Sequence, residues 1–462
     1  MADLKLQRSL STADLVVYGI MFMIPVAPFA WYGTFIGTAN GMVALAYLIG
    51  LVAMLFTGFS YAQMSSRYPI AGSVYSYVQR GTRQELGWMA GWAIMLDYIF
   101  LPAVAYLIGA LFLSELVPGV PQWAWVLIFA VVTTIVNVLG IRLMAWTSWA
   151  LFAFQIVVML YFLIEVFAKL AAGSLHFNAV GFYNANGFHL HGVLAATVIV
   201  VLSYLGFDAV STLSEEAKNP RKSVPRATVY SILGGGAIFI ILTYFAGVAY
   251  PNYQQLNSET AFLDILKGLG GTPLNDLGIL AITISFGLAC ALEGQSAIAR
   301  ILYSMGRDGI LPKPLASVHP KWQTPWVATI LIGVVSVVVA LAIGLGTLAT
   351  WLSFGALVGF MALNATVIWH LFARSEKTAA SFVKYLVSPL IGFAVCAYIF
   401  ANMGTGAYKV GFSWLAVGFV YLLYKTALFS KPAPVLQLDE VLEPEATENV
   451  PAIAVGTARP VV

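Results

Sequence analysis

The chain has 462 residues, 60% of them hydrophobic and only 9% charged, with a formal net charge of +3. Soluble domains carry about 25% charged residues, so this composition excludes an ordinary soluble enzyme or a nucleic-acid-binding module and makes the bilayer the solvent for most of the chain. Both cysteines, Cys290 and Cys396, fall in apolar runs, which argues against a disulfide framework or a thiolate metal site.

In chain order, the opening MADLKLQRSLST is polar and leads into an apolar run without a small-residue cleavage site, so residues 1–14 read as a retained cytoplasmic segment. About 20 apolar residues cross the hydrocarbon as a helix. Twelve runs meet that measure, near 15–38, 43–63, 86–114, 123–140, 146–170, 192–214, 226–250, 274–304, 326–345, 348–372, 382–402 and 411–429. The expected fold is an all-α polytopic membrane protein with twelve transmembrane helices. With the N-terminus inside, every Lys and Arg falls on the cytoplasmic side except Lys169, Lys267 and Lys409. Both termini are then cytoplasmic by the positive-inside rule. Residues 431–462 carry prolines, an acidic middle and too little apolar periodicity to fold alone, so they are expected as a disordered cytoplasmic tail.

Two runs are interrupted. The first, VVYGIMFMIPVAPFAWYGTFIG, contains Pro25 and Pro28. Proline removes a backbone donor and clashes with the preceding turn, so an unwound stretch through Met23, Ile24, Pro25, Val26 and Ala27 is expected. The sixth is broken by Ser203, Gly206 and Asp208. Either break alone would fit a kinked but continuous helix. Two of them five helices apart fit an inverted repeat of five plus five helices over 15–372, with a substrate site at the interface and helices 11 and 12 (373–430) outside it.

Asp97, Asp208 and Glu293 sit well inside apolar runs that hold no central Lys or Arg. A carboxylate in low dielectric needs a cation or a proton, so the missing partner is a substrate amine, a proton, or both. Asp208 reads as a substrate contact or as a cap on the helix 6 break, and Asp97 as a substrate contact or a bond to a neighbouring helix. Glu293 reads as a proton site or a structural acid, with Arg300 two turns away. Tyr98, Tyr204 and Phe207 are placed to enclose the organic part of a substrate, Phe207 as a gate, and Trp31 and Tyr32 are further candidates. Glu165 is expected to pair with Lys169 (i,i+4), and Glu215 and Glu216 to join Lys218, Arg221 and Lys222 in a surface cluster. All five histidines lie at or beyond run ends, so neither an intramembrane enzyme nor a metal or organic cofactor is expected, and no obligate protein partner is evident.

Three blocks carry a family likeness: YAQMSSRYPIAGSVYSYVQR (Tyr61–Arg80), SEEAKNPRKSVPRA (Ser214–Ala227) and ARILYSMGRDGILPKPLASVHPKWQTP (Ala299–Pro325). In this order and spacing the chain resembles the amino acid–polyamine–organocation (APC) superfamily of permeases over nearly its whole length. Within it, LDYIFLP (Leu96–Pro102) and SYLGFDAVSTLSEE (Ser203–Glu216) resemble bacterial putrescine importers. The resemblance implies a broken-helix, inverted-repeat fold and secondary active transport driven by an ion gradient. Two departures matter. Where many amino acid carriers of the family have a Gly- and Ser-rich break that cradles a substrate carboxylate, this chain has Met23–Pro28 with two prolines. Gln155 stands where proton-coupled relatives often carry a helix 5 lysine, so a lysine-based coupling account does not carry over.

The expectation is therefore a multi-pass transporter of the cytoplasmic (inner) membrane that imports small organic cations such as putrescine by proton symport. Sodium is the second coupling ion considered, and an amino acid permease of the same fold is the alternative function. The expected substrate site joins Met23, Ile24, Pro25 and Ala27 with Asp97, Tyr98, Ser203, Tyr204, Gly206, Phe207 and Asp208. Glu293, Asp97 and Gln155 are the coupling candidates.

Overall fold

The computed structural model describes residues 6–430 except 186, 258, 259 and 404. The tail expected from 431 onward lies outside the described residues. These are helical throughout apart from turns, loops and one isolated backbone bridge between Leu10 and Ala217.

Helix α1 is a pair, α1a (Thr12–Phe22) and α1b (Ala27–Ile36), bent by 42°. It is followed by α2 (Val43–Arg67), α3 (Gln84–Leu116), α4 (Gln122–Leu139) and α5 (Ile141–Ala171). The second half holds α6 (Leu190–Glu216), α7 (Pro220–Ala249), α8 (Ala261–Arg307), α9 (Trp326–Ala342) and α10 (Leu345–Val367). Last come α11 (Ala379–Ala401) and α12 (Thr405–Lys425). Each expected run finds a helix, but length and composition support ten crossings, or eleven with the α1 pair, and α9 is shorter at 17 residues. The eighth run starts earlier than its hydropathy suggests, because α8 gains an arm from Ala261 that kinks at Gly271 (φ +68°).

Both expected breaks are present. A capping box of Ser11 and Asp14 starts α1a. The helix stops at Phe22, Ile24 adopts φ +60°, and Pro28 re-enters in the first turn of α1b. In α6 the α-helix runs to Val200 and a 3₁₀ turn to Tyr204. Leu205 is extended, Gly206 takes φ +117°, and a 3₁₀ helix, α6b (Phe207–Glu216), follows. The breaks touch: a Cβ added at Gly206 would lie 2.0 Å from the Phe22 ring.

Several helices pack at a constant interval along the chain. α1a lies on α6b, α2 on α7, α3 on α8 and α4 on α9, each helix against the one five places later. α11 packs on α2 and α10, and α12 on α3 and α10, outside that arrangement. Two local features set the centre. A π-helical segment, Ile284–Cys290, interrupts α8, and such segments concentrate at functional sites. Gly355 lets α10 approach α3 so closely that a Cβ there would stand 2.2 Å from the Ala93 carbonyl and 3.0 Å from the Asp97 amide.

Gly206→Ala should lower the melting temperature of the purified protein, with backbone strain alone costing on the order of 1–3 kcal/mol before the contact with Phe22. A variant that melts with the parent would show that the break is not held in this conformation.

Candidate functional site

A cavity of about 260 Å³ lies where the two breaks face α3, α8 and α10. The α1 break supplies Met23, Ile24 and Ala27, and the α6 break Ser203 and Leu205. α3 presents Asp97, Leu101, Val104, Ala105 and Ile108, positions spaced to fall on one helical face. The π segment of α8 adds Phe286 and Cys290, and the Trp31 ring meets Phe286 edge-on at 6.4 Å. Phe22 also borders the cavity, its ring against Tyr98 at 5.8 Å.

The wall is almost entirely hydrocarbon and aromatic, and Asp97 is its one carboxylate. Asp97 is buried, its Oδ1 has no hydrogen-bond partner, and no ion pair among the described residues involves it. An acid so placed must hold a proton or receive a cation.

Asp208 does not border the cavity. Its Oδ2 accepts from the Tyr98 hydroxyl at 2.5 Å and the Tyr61 hydroxyl at 3.5 Å, and its Oδ1 from the Gly206 N–H at 3.3 Å. The geometry is that of a cap on the α6 break, the second of the two sequence readings. Phe207 packs against the rings of Tyr61 (5.5 Å) and Phe360 (5.4 Å). The Tyr204 hydroxyl donates to the Tyr47 carbonyl at 2.8 Å. Of the expected set, then, Met23, Ile24, Ala27, Asp97 and Ser203 reach the cavity, whereas Pro25, Tyr98, Tyr204, Gly206, Phe207 and Asp208 stand behind its wall.

The breaks offer little to an anion. The N–H groups of Met23 and Ile24 bond to the carbonyls of Gly19 and Met21, those of Ala27 and Phe29 to Ile24 and Val26, and Pro28 has none. A helix start binds an anion through free N–H groups; here the first turn of α1b uses its own, and Asp208 fills the corresponding place in α6.

Glu293 lies on α8 just past the π segment, away from the cavity. The Ser148 hydroxyl of α5 donates to its Oε1, its Oε2 is buried without a partner, and Tyr18 of α1a donates to its backbone carbonyl at 3.0 Å. Arg300 is not its partner, being held by Glu216 (Nη2–Oε1 2.9 Å) and by the Ser296 hydroxyl at 2.5 Å. Gln155 directs Nε2 at the Met21 sulfur, 3.5 Å away, and does not reach the cavity.

Two expected pairings are corrected. Glu215 and Glu216 bond arginines of α8 rather than Lys218, Arg221 and Lys222. Glu215 takes both Nη atoms of Arg307 at 2.9 Å and the Ala71 N–H at 3.1 Å. Lys169 donates to the Gly268 carbonyl at 2.8 Å rather than to Glu165. The α8 arginines are seven residues apart and so share a face with Glu293, a spacing readable in the sequence. Ser148 had no such signal; it is one hydroxyl in an apolar run. At the same end of the bundle, the N–H groups of Ser9 and Leu10 donate to the Glu216 carbonyl at 2.9 and 3.0 Å. Asp308 sits beside them, accepting from Tyr75, and burial raises its carboxyl above the ordinary range. Thr34, which lines the cavity from α1b, is exposed.

The amino acid permease family model matches residues 14–434. The chain belongs to the amino acid permease family. This permease is 32% identical over 438 residues to the low-affinity putrescine importer PlaP of Escherichia coli K12, covering 93% of the chain and 96% of that relative. It is 29% identical to the methylthioribose transporter of Bacillus subtilis (92% and 95% covered) and 27% identical to the branched-chain amino acid permease BcaP of the same organism (91% and 93%). It is a multi-pass membrane transporter of the APC superfamily and not an enzyme.

If Asp208 is a cap, Asp208→Ala should destabilise this permease by on the order of 1–3 kcal/mol for each donor it orphans. Asp208→Asn keeps an acceptor and should melt close to the parent, with substrate affinity within a few-fold. A selective loss of affinity in the Asn variant, measured by ligand binding beside thermal melts, would return Asp208 to the substrate site.

Proposed function

We propose that this permease imports small organic cations across the cytoplasmic membrane, with the ammonium group on Asp97 and proton symport as the driving force. The observation that carries the reading is a buried carboxylate without a cation, open to an otherwise apolar cavity between two broken helices. The bonded N–H groups of Met23, Ile24, Ala27 and Phe29 in the α1 break weigh against a substrate carboxylate. A putrescine importer among the relatives supports amines as cargo. The gathering of Lys and Arg at the Ser9–Glu216 end supports a cytoplasmic location for it.

A second reading is an amino acid permease of the same fold. The apolar wall would take an aliphatic side chain and Asp97 an α-amino group, and a branched-chain permease is among the relatives. Competition separates the two: an unlabelled alkylamine should reduce uptake of a labelled amine in proteoliposomes more than arginine or leucine does.

Glu293 is the proposed proton carrier. It faces a hydroxyl rather than a cation, and one of its oxygens is unpartnered. Glu293→Gln should abolish the response of uptake to an imposed pH gradient while substrate binding persists. Uptake that follows a sodium gradient and ignores pH would overturn this part of the proposal.

For the site itself, a hydrogen bond to a charged group contributes about 1.5–3 kcal/mol, and about 1.4 kcal/mol is tenfold in affinity. Asp97→Asn should therefore weaken amine binding at least tenfold without lowering the melting temperature of the empty protein. Unchanged affinity would exclude Asp97 as the ammonium site.

A further inference from the structure

The cavity is elongated along α3. Asp97 stands at one end, and Leu101, Val104 and Ile108 continue the same face for eleven residues, about 16 Å at the helical rise of 1.5 Å per residue. The second carboxylate of the region, Asp208, is at the same end as Asp97, behind Tyr98, with three donors already bonded to it. The remaining polar side chains on the wall are hydroxyls. Ser203 is engaged with the Tyr47 hydroxyl at 3.3 Å, Thr34 is on the exposed rim, and neither Ser353 of α10 nor the Cys290 thiol carries a charge.

This arrangement can neutralise one positive charge. A cation on Asp97 makes a neutral pair in low dielectric. A second ammonium four methylenes further along would lie among Leu101, Val104, Leu202 and Phe286, where an unpaired charge is strongly unfavourable. An aliphatic or aromatic tail in the same place gains from burial with each methylene added.

We infer that the cavity selects a monoammonium substrate with an apolar tail, and that it discriminates against a second ammonium group. The inference rests on the assignment of the ammonium to Asp97 and narrows the class of cation to amphiphilic monoamines. The apolar wall then acts as a specificity filter: it accepts methylenes and rejects charge.

The test uses the full chain in lipid nanodiscs and two probes of equal length, n-butylamine and putrescine, which differ only in the second ammonium. Affinities are read from ligand-induced shifts in melting temperature. The n-butylamine should bind at least tenfold more tightly than putrescine, 4-amino-1-butanol should fall between them, and n-hexylamine should exceed n-butylamine. In Asp97→Asn all four should lose at least tenfold, which distinguishes the site from partition into the lipid.

Putrescine binding as tightly as n-butylamine, or more so, with both lost in Asp97→Asn, would overturn the inference and leave the Asp97 reading standing. It would assign the second ammonium a partner such as the face of Trp31. If neither amine binds while leucine does, the proposed import of organic cations fails and the inference with it.

Discussion

An unwound backbone in a membrane has no water to bond to, and every group it frees must be answered by protein. The two broken helices meet that constraint in different ways. α1 answers it with geometry: prolines delete donors, and tight turns return the N–H groups of Met23, Ile24, Ala27 and Phe29 to carbonyls of the same segment. α6 answers it with a side chain, because Gly206 opens the helix and Asp208 bonds the freed N–H while two tyrosines hold the carboxylate. With these donors bonded, the cavity between the breaks can be apolar, and a single additional carboxylate then dominates its electrostatics.

The same reasoning orders the three central acids. Asp208 has donors and needs no cation. Glu293 has one hydroxyl and sits off the cavity, a position suited to holding a proton rather than cargo. Asp97 borders the cavity, next to the point where Gly355 brings α10 against the backbone of α3. Their shared chemistry therefore leads to three different environments, and the close approach at Gly355 fixes where the open one lies.

Much of the fold was legible in the chain. The apolar runs, the breaks at Met23–Ala27 and Gly206 and the family likeness all follow from local residue chemistry. The cavity wall was less so, because helical periodicity gives a face but not the neighbour it meets. Asp97 and Tyr98 are adjacent, yet one opens to the cavity and the other turns to Asp208. The partners of Glu215 and Glu216 were misread for a related reason. Nearby cations in the loop are the local solution, but Arg300 and Arg307, more than 80 residues away, are brought over them by the packing of α8 on α6b.

The π segment of α8 shows how a long helix can serve two neighbourhoods. A π turn holds roughly one residue more than the α turn it replaces, so it acts as a phase shift of about 100° within an unbroken helix. The arm before Ile284 can pack on α5 and α1b while the half after Cys290 turns Arg300 and Arg307 toward α6b and Glu293 toward Ser148 of α5. A helical wheel drawn across the whole segment would put these residues out of phase with the arm before Ile284. The two stretches of α8 are separate faces joined in one rod, and each can change in sequence without putting the other out of register.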